Sequence, residues 1–223
     1  MNNTNINIYK KLIKVFIILF FISFILFIIK LTVFILSKNF VIILDTILTF
    51  SIMITNIIGI IWTYNKNFLH KKTKNKKVLL LSIFIEWIFI TIYLCLIIIS
   101  IIKIVNLNNK IVSPNNNNNN LLFIIYLTSS IFLGSIELIL LINIYWFSKI
   151  RFTIIYVNFK LCIIELHIAL AIGIVLIILN NLSNDDYIRE LVSKILTICF
   201  GIILIPIDVY NSIKNIKLYK KNK

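Results

Sequence analysis

Glu86, Glu137, Glu165 and Asp208 lie within strongly apolar stretches of a 223-residue chain, and so do His167 and Asn143. A charged side chain at the centre of a bilayer costs roughly 2.5–3.5 kcal/mol even on the mildest scale, so each such group needs a partner or a proton. Carboxylates and an imidazole held in apolar surroundings suit the binding and passing of protons or cations. These six residues are therefore the candidate intramembrane polar site. Lys30 and Asp45 also sit inside apolar runs, flanking Ser37-Lys38 almost symmetrically. Residues equidistant from the turn of an antiparallel helical hairpin lie at equal depth, so a structural Lys30–Asp45 ion pair is expected.

The same construction sets Asn56 opposite Glu86 and Asn143 opposite Glu165, and brings His167 level with Asp208. Asn143, Glu165, His167 and Asp208 would then gather in the cytoplasmic half of one bundle. Glu165 and His167 are separated by about 200° around a helix and cannot both face the same neighbour. Separate interhelical hydrogen bonds, with Asp208 snorkelling to the interface, are the plainer alternative. Glu137 falls close to mid-membrane and has no obvious counter-ion. Ser130 and Gly134 share its face, and Ala169 and Gly173 share that of Glu165, two small-xxx-small patterns that predict packing of the fourth helix on the fifth. Such faces also offer a route to homo- or hetero-oligomers.

Other chemistry has little support. The chain has no nucleophile–base pair, no H-E-x-x-H and no metal-ligand cluster, and with 4 glycines a phosphate-cradling loop is improbable. Cys95, Cys162 and Cys199 lie in apolar runs without C-x-x-C spacing, which predicts neither disulfide nor zinc site. Cys162, near a membrane edge, reads as a buried small hydrophobe, with palmitoylation the less favoured alternative. No catalytic residue, cofactor or metal is expected, and the chain does not read as an enzyme.

The elements that must position these residues follow from composition. With 60% hydrophobic and 14% charged residues, and a mean hydropathy of +1.01, the chain cannot cover a soluble surface. The bilayer must be its solvent, and the expected fold is all-α: a polytopic transmembrane helix bundle with six spans, at about 15–36, 40–64, 78–102, 121–147, 161–179 and 195–210. These make one membrane domain over 15–210, between a cytoplasmic segment at 1–14 and a basic cytoplasmic tail at 211–223. Residues 152–159 extend the fifth span if they are helical. Ser183 to Asp186 predict an earlier, capped start to the sixth, and Pro206 predicts a kink in it. The first apolar run resembles a signal peptide but is longer and lacks an A-x-A-like site, so it reads as a retained anchor. Asn115 to Asn120 reads as disordered linker.

The net charge of +15 comes from 23 basic and 8 acidic residues, and all the basic ones are Lys except Arg151 and Arg189. Nucleic acid is an unexpected partner, because the planar guanidinium suited to bases and phosphates is nearly absent. Membrane orientation explains the charge better: 17 of the 23 basic residues fall in the segments on the side of the two termini. The positive-inside rule puts both termini in the cytoplasm. On such a tail, Lys220 and Lys221 resemble a dilysine retrieval signal, which points to the endoplasmic reticulum membrane, with the plasma membrane as runner-up. Two functions fit: a small translocation protein for protons, ions or lipid, and a non-transporting membrane scaffold or assembly partner.

Overall fold

The computed structural model describes residues 3–69, 72–107, 120–147, 153–182 and 186–221. They form six helices and no strand: α1 (Asn3–Ser37), α2 (Phe40–Leu69), α3 (Lys72–Leu107), α4 (Asn120–Phe147), α5 (Thr153–Leu182) and α6 (Asp186–Lys221). Ile-rich sequence is a mediocre helix former in water. In hydrocarbon the preference reverses, because only a helix satisfies every backbone N–H and C=O within one segment. Each helix contains a stretch long and apolar enough to cross a membrane.

Helix ends extend beyond the expected spans. α5 starts at Thr153, so residues 153–159 form the extension of the fifth span that the sequence allowed, and α6 starts at Asp186, as the acidic first turn predicted, and runs to Lys221. Glu190 and Lys194 pair at i, i+4 in the first turns of α6, and the helix is continuous through Pro206. Asn120 opens α4, while the rest of the Asn run and the Ser183–Asp185 cap lie outside the described residues.

Between α1 and α2 the chain reverses in two residues. Lys38 adopts φ 52°, and its N–H donates to the Phe34 carbonyl at 2.8 Å. Asn39 then caps α2, its side-chain oxygen accepting from the Val41 N–H at 3.2 Å. Ser193 of α6 donates to the same oxygen at 2.6 Å, which ties this end of α6 to the hairpin tip. We call the end carrying this turn the turn side, and the end carrying the chain termini the terminal side.

α1, α2, α5 and α4 pack in a closed ring, each against the next, and the antiparallel α3–α6 pair rests on α2 and α5. α2 is the most buried span. The α4–α5 interface uses the small residues as expected. A Cβ at Gly173 would sit 2.6 Å from Leu127 Cδ1, and one at Gly134 would sit 3.2 Å from Leu166. Both glycines therefore pack against side chains of the same chain.

Candidate functional site

The ring encloses two sets of buried polar side chains, and four helices contribute to them from regularly spaced positions. α2 supplies Asp45, Thr49 and Asn56, α4 supplies Tyr126 and Glu137, and α5 supplies Asn158, Cys162 and Glu165. α1 adds Ser23 and Lys30, seven residues apart and both fully buried. Within each helix these positions share one face at i, i+4, i+7 or i+11 spacing.

The first set centres on Lys30. Its ammonium lies 2.7 Å from Asp45 Oδ2 and 2.8 Å from Glu165 Oε1, and donates to Thr49 Oγ1 at 2.9 Å. An ammonium has three hydrogens, and each has an acceptor here. The partner named by hairpin symmetry is thus joined by Glu165, from a helix 135 residues further along the chain. Thr49 also hydrogen-bonds Glu165, and Tyr126 donates its phenolic hydrogen to Asp45 Oδ2 at 2.5 Å.

The second set centres on Glu137. Asn158 donates to Asn56 Oδ1 at 2.8 Å, and Asn56 donates to Ser23 Oγ at 3.0 Å. Ser23 in turn hydrogen-bonds Glu137 Oε1, while the Cys162 thiol lies 3.6 Å from Glu137 Oε2. Cys162 is buried, as expected of it, and its thiol also donates to a carboxylate.

The two sets lie end to end along the bundle. Tyr126 is eleven residues from Glu137, about 16 Å along α4, and Asn158 lies one turn, about 6 Å, beyond Cys162 toward the terminal side. Together they span about 22 Å of a hydrocarbon core that is about 30 Å thick.

Not every expected residue joins this line. Asn143 is exposed on the outside of α4. The start of α5 at Thr153 shifts the α4–α5 register, so Glu165 is level with Gly134 and Glu137, not with Asn143. His167 is exposed on the outer face of α5, its Nδ1 donating to the Ile163 carbonyl at 2.7 Å, far around the helix from Glu165. It does not meet Asp208. Asn56 does not meet Glu86 either, because Asn56 faces α1 and α5 while Glu86 faces α6.

Glu86 and Asp208 lie away from the ring, at the α3–α6 interface. Asn215 donates to Glu86 Oε1 at 2.7 Å, and Ser82 donates to the same oxygen at 3.4 Å. Among the described residues no group of three or more His, Cys, Asp or Glu side chains is placed to hold a metal.

Six apolar helices with buried ionisable groups make this a multi-pass membrane protein. Comparison with family models, characterised proteins and solved structures finds no match to the chain, so its chemistry is argued from its own residues.

Proposed function

We propose that this chain is a small translocation protein that carries protons across its membrane, with Glu137 as the group that takes up and releases them. The observation that carries the reading is the near-continuous polar line through the α1–α2–α5–α4 ring, which holds three carboxylates, Asp45, Glu137 and Glu165, against the single base Lys30. Charges this deep are retained where they serve a pathway, since purely structural polarity is met more cheaply by neutral groups.

The hydrogen count at Ser23 supports a proton on Glu137. Ser23 Oγ lies 2.8 Å from the Leu19 carbonyl, touches Glu137 Oε1, and already accepts from Asn56. One hydroxyl hydrogen cannot serve two acceptors. With that hydrogen on Leu19, Glu137 supplies the other.

Proton flux into liposomes, read with an enclosed pH-sensitive dye, tests the reading. Glu137→Gln keeps the shape and a donor for Ser23 but cannot release a proton, and its flux is expected to fall to that of empty liposomes. Wild-type flux in a folded Glu137→Gln variant would overturn the proposal. The competing role of a non-transporting scaffold is favoured by one observation, the unbroken helical course of all six spans. No enzymatic role is proposed.

The same proposal places both termini in the cytoplasm and the protein in the endoplasmic reticulum, supported by the basic residues of the terminal side and by Lys220 and Lys221. Replacing both lysines by Ser is expected to release the protein to the plasma membrane without changing its topology. Imaging at low expression reads the outcome, and an unchanged distribution removes the retrieval role.

A further inference from the structure

The outer face of α6 changes character where its apolar course ends, on the terminal side. Tyr210 closes that course and is 58% exposed, and from Asn211 onward polar and basic residues alternate with apolar ones. At about 100° per residue, Lys214 and Lys217 fall within about 40° of Tyr210 around the helix, one and two turns beyond it. Lys217 is exposed and Lys214 half-buried, so the three make one outward stripe. A tyrosine followed by lysines is the pattern of a helix leaving hydrocarbon through the headgroup layer, with the ring at the boundary and the ammonium groups among the phosphates.

α5 brings a fourth member. Lys160 lies near the start of α5, and its ammonium sits 5.7 Å from the centre of the Tyr210 ring, so the contact joins two packed helices and holds a long side chain over the stripe. Three positive charges thus gather around one exposed ring. Nothing acidic in the neighbouring sequence offsets them, since residues 138–164 and 209–223 contain no Asp or Glu. Asp208 is buried and lies about 160° from Tyr210 around the helix. Glu86 is bonded to Asn215, which lies about 140° from Tyr210 on the same helix.

We infer that Lys160, Tyr210, Lys214 and Lys217 form a binding site for one anionic phospholipid, in the leaflet of the terminal side. The dimensions suit a single headgroup. Along the axis Lys214 is about 6 Å and Lys217 about 10.5 Å from Tyr210, and a lysine's four-carbon stem carries its charge roughly 6 Å from the backbone. Lysine binds phosphate as a point charge, and three uncompensated ammonium groups favour a headgroup of net negative charge over a zwitterionic one. The occupant is a lipid rather than a soluble anion because the site continues into apolar surface. Tyr210 and Ile213, 48% exposed, lie on the same side of α6 as the lysines and offer contact to the glycerol and upper acyl chains.

Native mass spectrometry of the full chain released from detergent micelles, with phosphatidylserine or phosphatidylcholine added, resolves each bound lipid as an added mass. The first phosphatidylserine is expected to bind at least about tenfold more tightly than the first phosphatidylcholine, at roughly fivefold for each lysine near an anionic group. Lys160→Gln with Lys214→Gln should weaken that first adduct by about 25-fold on the same basis. Lys10→Gln with Lys11→Gln removes equal charge from exposed positions on α1, which does not pack on α6, and should leave the first adduct unchanged. Lys217→Gln, a single change at an exposed position, should weaken it about fivefold and stays readable if the double variant folds poorly. Equal binding of the two lipids, or equal loss in the two double variants, would overturn the site in favour of diffuse surface charge. Displacement of phosphatidylserine by millimolar inorganic phosphate at matched ionic strength would assign the lysines to a soluble anion and overturn it equally.

Discussion

Lys30 is buried with all three of its hydrogens committed, which makes it the residue whose removal leaves the most behind. Lys30→Leu strands Asp45 and Glu165 together, whereas Asp45→Leu leaves Lys30 its bond to Glu165. Breaking a buried ion pair from one side costs about 3–5 kcal/mol, so Lys30→Leu is expected at the upper end and Asp45→Leu below it. The double replacement should cost less than the sum of the singles, read from folded yield or unfolding in mixed micelles, and additivity would deny the coupling. The pair with Asp45 was legible in the sequence because both residues flank one short turn. Glu165 was not, since nothing local says which face of a distant helix turns toward α1. Depth alone also misplaced His167: it fixes how far along the membrane normal a residue lies and leaves its direction around the helix open, while Asn143 was placed at the wrong level by the α4–α5 register.

At the scale of the elements, the six helices and the packing of α4 on α5 could be read from apolar run length and small-residue spacing. Pairing levels from Leu161 was the costly step, because the extension allowed over 152–159 is helical and re-pairs every level of that hairpin. A signal for the polar line was present and unused. Asp45, Thr49 and Asn56 on α2, and Asn158, Cys162 and Glu165 on α5, are polar stripes at helical spacing that only become visible when neutral residues are scored with charged ones. The α1–α2 turn yields a further test. Lys38 occupies a left-handed conformation that glycine adopts without steric cost, and the side-chain penalty there is about 1 kcal/mol. Lys38→Gly is therefore expected to raise thermal stability by a few degrees, measured by unfolding in detergent; a lower midpoint would show that the lysine side chain contributes more than its backbone costs.

For the whole molecule, an even number of crossings puts both ends on one face, and the orientation proposed from the basic residues makes that face the cytoplasmic one. Tags at either terminus should be protease-accessible in intact cells only after the plasma membrane is permeabilised, or exposed on the outside of sealed microsomes. Protection of one tag alone would break the six-span count. The ring also has a history, because its members are not made together. Lys30 enters the bilayer in company, since Asp45 follows within the first hairpin, but the Glu165 that completes its shell is synthesised 135 residues later. During translation the first four helices thus stand as an unfinished assembly, with Lys30 one acceptor short and Glu137 without the Cys162 beside it. The junction of α5 with the ring doubles as a completion mark: a nascent chain that has not yet delivered it presents misfit polarity inside the membrane, and only the finished chain conceals it.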